Sequence, residues 1–113
     1  MIVTINQSLM LNKTKDKAVF IKGKAFRKDR EPYNKVLRDI AAKEGLACLD
    51  LAKIQQQKLE AMGEEAAGKL YRFDPKKKCI DPSHTNLAGA EFVAEIIANE
   101  LKKSTCPLKK ELK

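Results

Sequence analysis

Leu46-Ala47-Cys48-Leu49 is an uninterrupted apolar run that ends in Asp50, and a helical pattern lies on either side of it. So short a run without polar alternation reads as a parallel strand buried on both faces, which obliges the chain to supply helices to cover it. The preceding helix opens with Pro32 in its first turn, repeats Val36, Leu37, Ile40 and Ala41 at helical spacing, and stops at Gly45. Asp50 can cap the following helix, whose apolar side is Leu51, Ile54, Leu59 and Met62 and which Gly63 ends; Glu64 to Leu70 add one or two turns.

Upstream, Ala18-Val19-Phe20-Ile21, bounded by Lys17 and Lys22-Gly23, reads as a second buried strand, and Lys24 to Arg30 as a basic loop. Met1 to Ile5 can be counted as a third strand. Residues 71–86 show neither helical nor alternating periodicity and read as a long loop holding Asp74-Pro75, Lys76 to Lys78 and Asp81-Pro82-Ser83-His84. A last helix begins near Asn86, presents Leu87, Ala90, Val93, Ala94, Ile97 and Leu101, and runs out in Lys102-Lys103, leaving residues 104–113 as a frayed basic tail. This order predicts an α/β protein with a narrow parallel sheet in which 18–21 and 46–49 are neighbours, joined by a right-handed crossover through the Pro32–Glu44 helix. Helices on two faces would leave so narrow a sheet largely uncovered, so residues 1–103 read as part of a domain.

At 113 residues, with 43% hydrophobic and 34% charged side chains, the chain fits one folded domain at most. No window approaches the roughly 18 consecutive apolar residues that cross a bilayer. Met1 to Leu11 lacks a basic region followed by an apolar core, so the chain as written carries no signal peptide and is expected in the cytoplasm; secretion is the expectation if the true start lies further upstream. Cys48, Cys79 and Cys106 are odd in number and lack C-x-x-C spacing, which argues for free thiols, with Cys48 as a small core residue. The net charge of +8 is concentrated near the ends, but 6 aromatics and no Arg-rich motif among them argue against dedicated nucleic-acid binding. Solvated lysines are the simpler reading.

The single histidine, His84, follows Asp81 by three positions and precedes a helix start by two. Side chains at that spacing in a turn can converge, so the Asp81 carboxylate can accept from Nδ1–H and leave Nε2 free as a base for a hydroxyl nucleophile. Asp81-Pro82-Ser83 is also a common turn initiator, and spacing alone favours that plainer reading. A metal site of Cys79, Asp81 and His84 lacks a visible fourth ligand, and a Cys79–His84 nucleophile pair is a further alternative; no cofactor is indicated.

The run from Asp81 to Ala94, with Asp81-Pro82-Ser83-His84, Gly89-Ala90 and Val93-Ala94, resembles the last block of the SGNH (GDSL) hydrolases, in particular the rhamnogalacturonan acetylesterase-like members. Tyr33 opening a helix, Leu46 to Asp50 ending in Asp-Leu, and the Leu-x-x-x-Gly-x-Glu segment from Leu59 are similar to the region that precedes that block. The resemblance covers residues 18–103 but only the C-terminal half of the family's domain. It implies a partial three-layer α/β/α sandwich of flavodoxin-like type and a Ser-His-Asp triad to which this chain contributes Asp81 and His84. The implied substrate is an ester, often acetyl groups on pectic or other carbohydrate. Gly89 and Ala90 match positions that let the last helix pack close to the catalytic loop. Gly-Asp-Ser, Gly-x-Ser-x-Gly and Gly-x-Asn-Asp blocks are absent, and Ser8, Ser83 and Ser104 lack a nucleophile's setting. The chain is therefore expected to need the missing N-terminal half for activity, or else to be an inactive remnant or a basic module for anionic partners. Lys22-Gly23 stands where relatives often carry Thr-Pro and basic residues, which removes the basis for substrate contacts by Arg27 or Arg30.

Overall fold

The structure is a computed structural model and describes residues 1–104 and 106–112. Its elements run β1 (Ile2–Val3), α1 (Glu31–Glu44), β2 (Cys48–Leu49), α2 (Leu51–Met62), α3 (Glu64–Gly68), β3 (Tyr71–Asp74), β4 (Cys79–Thr85) and α4 (Leu87–Lys103), followed by a 3-10 helix at Pro107–Glu111. They form a mixed α/β arrangement with two small sheets, one parallel (β1–β2) and one antiparallel (β3–β4). No helix among the described residues is long and apolar enough to cross a membrane.

The parallel pair has the predicted helix between its strands, but its first strand is Ile2–Val3 and not Ala18–Ile21. Ile2 stands opposite Cys48 and Val3 opposite Leu49, with Ile2 N donating to Ala47 O at 2.8 Å and Thr4 N to Leu49 O at 3.1 Å. Ala18–Ile21 instead lies in the long β1–α1 connection and makes only isolated bridges, Leu11 with Ala18 and Ile21 with Lys24. Lys22 (φ 52°) and Gly23 (φ 76°) turn the chain straight back, so Ile21 points outward and is 59% exposed while Ala18 is buried. The segment read as a continuous loop at 71–86 contains the antiparallel hairpin. Its turn forms because Asp74 Oδ1 accepts from the Lys76 and Lys77 amides at 2.9 and 3.3 Å.

Asp50 ties the parallel pair to its helices. Its carboxylate accepts from Arg38 Nε at 2.9 Å and Nη2 at 3.2 Å, from Thr4 Oγ1 at 3.0 Å, and from the Lys53 amide as the cap of α2. Arg38 Nη1 also reaches Glu31 at 2.6 Å. Partial burial pushes the Asp50 carboxyl up, but Arg38 and Thr4 outweigh it and hold it below the usual carboxylate value; the same contacts hold Arg38 above its ordinary value. The buried Asn34 amide fixes the other end of α1, accepting from Ile5 N and donating to Ile5 O, both at 2.8 Å. Gly45, at φ 65°, closes α1 as predicted.

Burial corrects several side-chain expectations. On α1, Ala41 is buried, but Val36 and Ile40 point outward and, with Tyr33 (66% exposed), leave an apolar face uncovered. Val3, Ile5 and Leu46 are exposed as well. Cys48 is exposed rather than core, whereas Cys106, assigned to a frayed tail, is buried just before the 3-10 helix. On α2 the buried residues are Leu51, Ala52, Gln55 and Leu59, and Met62 is exposed. One core cluster joins Leu9, Phe26, Leu59, Tyr71 and Ile80; a second joins Leu49, Leu51 and Ile96, with Phe92 of α4 packed against both. The inward face of α4 is thus Gly89, Phe92, Val93, Ile96 and Ile97, while Leu87 is 76% exposed.

Gly89 has the close approach expected of it: a Cβ there would lie 2.0 Å from Leu70 O and 2.6 Å from Thr85 Cβ. Ala90, by contrast, faces solvent. Gly89→Ala must therefore push α4 off the Leu70 carbonyl and the Thr85 side chain, at a cost of about 2–3 kcal/mol or more. Urea unfolding should show a clearly lowered midpoint, while Ala90→Ser leaves it nearly unchanged. Equal midpoints for Gly89→Ala and the parent would contradict this packing.

Candidate active site

Asp81 and His84 sit near the end of β4, a strand whose last residue, Thr85, is followed by the Asn86 cap of α4. That cap is firmly held. Asn86 Oδ1 accepts from the Gly89 amide at 2.9 Å, Nδ2 donates to Lys69 O at 2.7 Å, and the Asn86 amide donates to Leu70 O at 3.0 Å. The β1–α1 connection holds the strand from the other side. Leu9 N donates to Pro82 O at 3.0 Å, and Ser8 Oγ lies 3.2 Å from Ser83 Oγ and donates to Asp29 at 3.2 Å. Arg30 spans the two segments, donating to Asn6 O at 3.1 Å and to Ser83 Oγ at 3.3 Å. The backbone that carries His84 is thus tied to the residues that follow the carboxyl end of β1.

Within this frame one Asp81 oxygen serves the turn and the other the imidazole. Oδ1 accepts from the Ser83 amide at 2.9 Å, and Oδ2 lies 2.7 Å from His84 Nδ1. The turn reading and the dyad reading are therefore both satisfied by a single carboxylate. Partial burial pushes the Asp81 carboxyl up, but the Ser83 amide and the His84 ring outweigh it and hold it below the usual carboxylate value. An ionised carboxylate only accepts, so in the neutral ring this contact favours the tautomer with the proton on Nδ1 and the lone pair on Nε2. Asp81 keeps 32% of its side-chain surface and His84 keeps 73%.

The imidazole borders a recess of about 270 Å³ lined by Asn6, Leu51, Gln55, Ser83, Thr85 and Val93. Asn6 and Leu51 follow the carboxyl ends of the two parallel strands, where open α/β sheets carry their sites. Gln55, buried on the recess wall, places Nε2 3.5 Å from the Tyr71 hydroxyl, and its Oε1 has no hydrogen-bond partner among the described residues.

The other candidate constellations are not assembled. Cys79 begins β4 and pairs with Asp74 across the hairpin, several residues along the strand from His84. Among the described residues no three His, Cys, Asp or Glu side chains are grouped to hold a metal ion. Ser8 is 1% exposed and engaged with Asp29, and Arg27 pairs with Asp29 at 3.4 Å. Comparison with family models, with curated proteins and with solved structures finds no match to this chain.

The supporting roles of Ser8, Arg30 and Ser83 were not recognisable in advance, because Ser8 and Ser83 stand 75 positions apart and Arg30 and Ser83 stand 53 apart. The Asp81 contact has a titration signature. Its depressed pKa contributes stability that is present above the ordinary aspartate value of about 3.9 and is lost as pH falls through the lower folded value. Carbon NMR of the Asp81 carboxyl should titrate below that ordinary value in the parent and move up in His84→Ala. A midpoint at the ordinary value in both would show that the contact is not made in solution.

Proposed function

We propose that this chain supplies the acid–base pair of an SGNH-type serine esterase, in a partial α/β/α domain that acts on acetyl esters of carbohydrate. The observation that carries the reading is the 2.7 Å contact between Asp81 Oδ2 and His84 Nδ1, made beside the carboxyl ends of two parallel strands with the imidazole largely open. Asp81 holds the ring in one tautomer. His84 Nε2 then takes the proton of a serine hydroxyl as it attacks the ester carbonyl and returns it to the departing sugar hydroxyl. The resemblance of residues 81–94 to the family's last block supplies the reaction class.

Neither the nucleophile nor the oxyanion donors are found in the sequence, so both must come from a segment that packs against this one. The uncovered apolar residues of α1, with Val3, Ile5 and Leu46, agree with that requirement, because a parallel sheet is ordinarily covered on both faces. The second reading, a remnant that keeps the loop geometry and binds anionic partners, draws on the +8 net charge.

The two readings part in an esterase assay. Alone, the chain should hydrolyse a small acetyl ester no faster than His84→Ala. Joined to a polypeptide bearing a Gly-Asp-Ser block and the Gly and Asn oxyanion blocks, it should turn the ester over. His84→Ala and Asp81→Asn should then each lose about 100 to 10,000-fold in kcat. Rates in the joined protein that are indifferent to both substitutions would remove the catalytic assignment. Turnover by the chain alone that vanishes in His84→Ala would show an internal nucleophile, with Cys79 the first to test.

A further inference from the structure

Two lysine-rich turns distant in sequence meet in the fold. The first, residues 12–17, is closed by Asn12 N donating to Lys17 O at 3.0 Å and Lys15 N to Asn12 O at 3.1 Å. The second is the β3–β4 hairpin tip, residues 74–79. They are joined where Ile80 N donates to Lys15 O at 2.7 Å. Lys13, Lys15, Lys17, Lys76, Lys77 and Lys78 are all exposed, and among the described residues none of the six forms a salt bridge.

The two aspartates of these turns are engaged locally. Asp16 Oδ1 accepts from Asn12 Nδ2 and Thr14 Oγ1, both at 2.6 Å, and Asp74 Oδ1 accepts the Lys76 and Lys77 amides. Six lysines against two aspartates place +4 of the chain's +8 on these turns. Each turn also holds one lysine in the left-handed region, Lys15 at φ 59° and Lys78 at φ 51°, where glycine or asparagine sits at lower cost.

We propose that the apposed turns anchor an acidic polysaccharide, a polymer with carboxylates spaced along its length, at the far end of β4 from His84. The choice of polymer rests on the esterase reading; the charge cluster does not. Isolated lysines are hydrated point charges suited to dispersed carboxylates, whereas nucleic-acid sites favour arginine forks and aromatic platforms, and these turns contain neither. Cys79 stands opposite Asp74 and Thr85 opposite Tyr71, so the hairpin tip and the imidazole end of β4 are separated by three residues of β3, about 10 Å. A ligand that touches both places must therefore extend beyond a single sugar unit, and on a longer polymer the anchor would raise the local concentration of its esters at the imidazole.

Binding of the full chain to immobilised polygalacturonate at about 50 mM salt tests this without any ester turnover, so its outcome is separate from that of the esterase assay. K13E/K15E/K17E and K76E/K77E/K78E should each weaken binding by about tenfold or more and flatten its salt dependence, with unchanged circular dichroism. K102E/K103E, on α4, should stay within about twofold of the parent. Galacturonic acid monomer at equal carboxylate should fail to compete. Equal losses in K102E/K103E, or no loss in the two triple variants, would overturn the site. Duplex DNA competing better than soluble polygalacturonate at equal charge would overturn the choice of polymer.

Discussion

The Asp50 carboxylate is the point on which the parallel pair depends. It stands where β2 ends and α2 begins, accepts two hydrogen bonds from Arg38 of α1 and one from Thr4 beyond β1, and caps α2 through the Lys53 amide. Thr4 is 1% exposed and uses its hydroxyl twice, donating to Asp50 and accepting from the Ala52 amide at 3.0 Å. Strands of two residues cannot hold their own register, since each contributes only a few ladder bonds. Side chains at their carboxyl ends do it for them. Removing the Asp50 carboxylate would leave Arg38 facing Glu31 alone and the buried Thr4 hydroxyl without its acceptor.

The candidate site inherits its geometry from this arrangement. Fixing the ends of β1 and β2 fixes Asn6 and Leu51, which wall the recess beside His84. The β1–α1 connection then returns to β4 through Leu9, Ser8 and Arg30, so the Asp81–His84 turn is held from two directions. Gly89 permits α4 to begin against the backbone of Leu70 and the side chain of Thr85. The imidazole itself is held chiefly through Nδ1, as suits a base that must keep one nitrogen free.

Much of this was legible in the sequence because the signals were local. Gly45, the Asp50 and Asn86 caps, and the three-residue spacing of Asp81 and His84 each depend on neighbours within a turn; of the Leu46–Leu49 run only Cys48–Leu49 is strand, and Leu46 and Cys48 are exposed rather than buried on both faces. Ala18–Ile21 misled because a four-residue apolar run has no periodicity that separates a buried strand from a loop stretch covered by other elements. The β3–β4 hairpin was hidden for a different reason. Tyr71 to Asp74 is too short to show alternation, and Pro82 argues against a strand, although in a two-stranded sheet it can sit where no ladder donor is required. The face of α1 was misjudged because Val36 and Ile40 are as apolar as Leu37 and Ala41, and only the packed structure shows which pair turns inward.

On the proposed reading Asp81 prepares His84 to act as a base through Nε2, and the protonation pattern of the ring reports on that preparation. Long-range proton–nitrogen NMR on the neutral imidazole distinguishes the two tautomers without reference to any substrate. In the parent Nδ1 should carry the proton and Nε2 should be bare, and this preference should be lost in Asp81→Asn. A ring protonated at Nε2 in the parent, unchanged in Asp81→Asn, would reduce Asp81 to a turn former and leave the imidazole with no catalytic preparation.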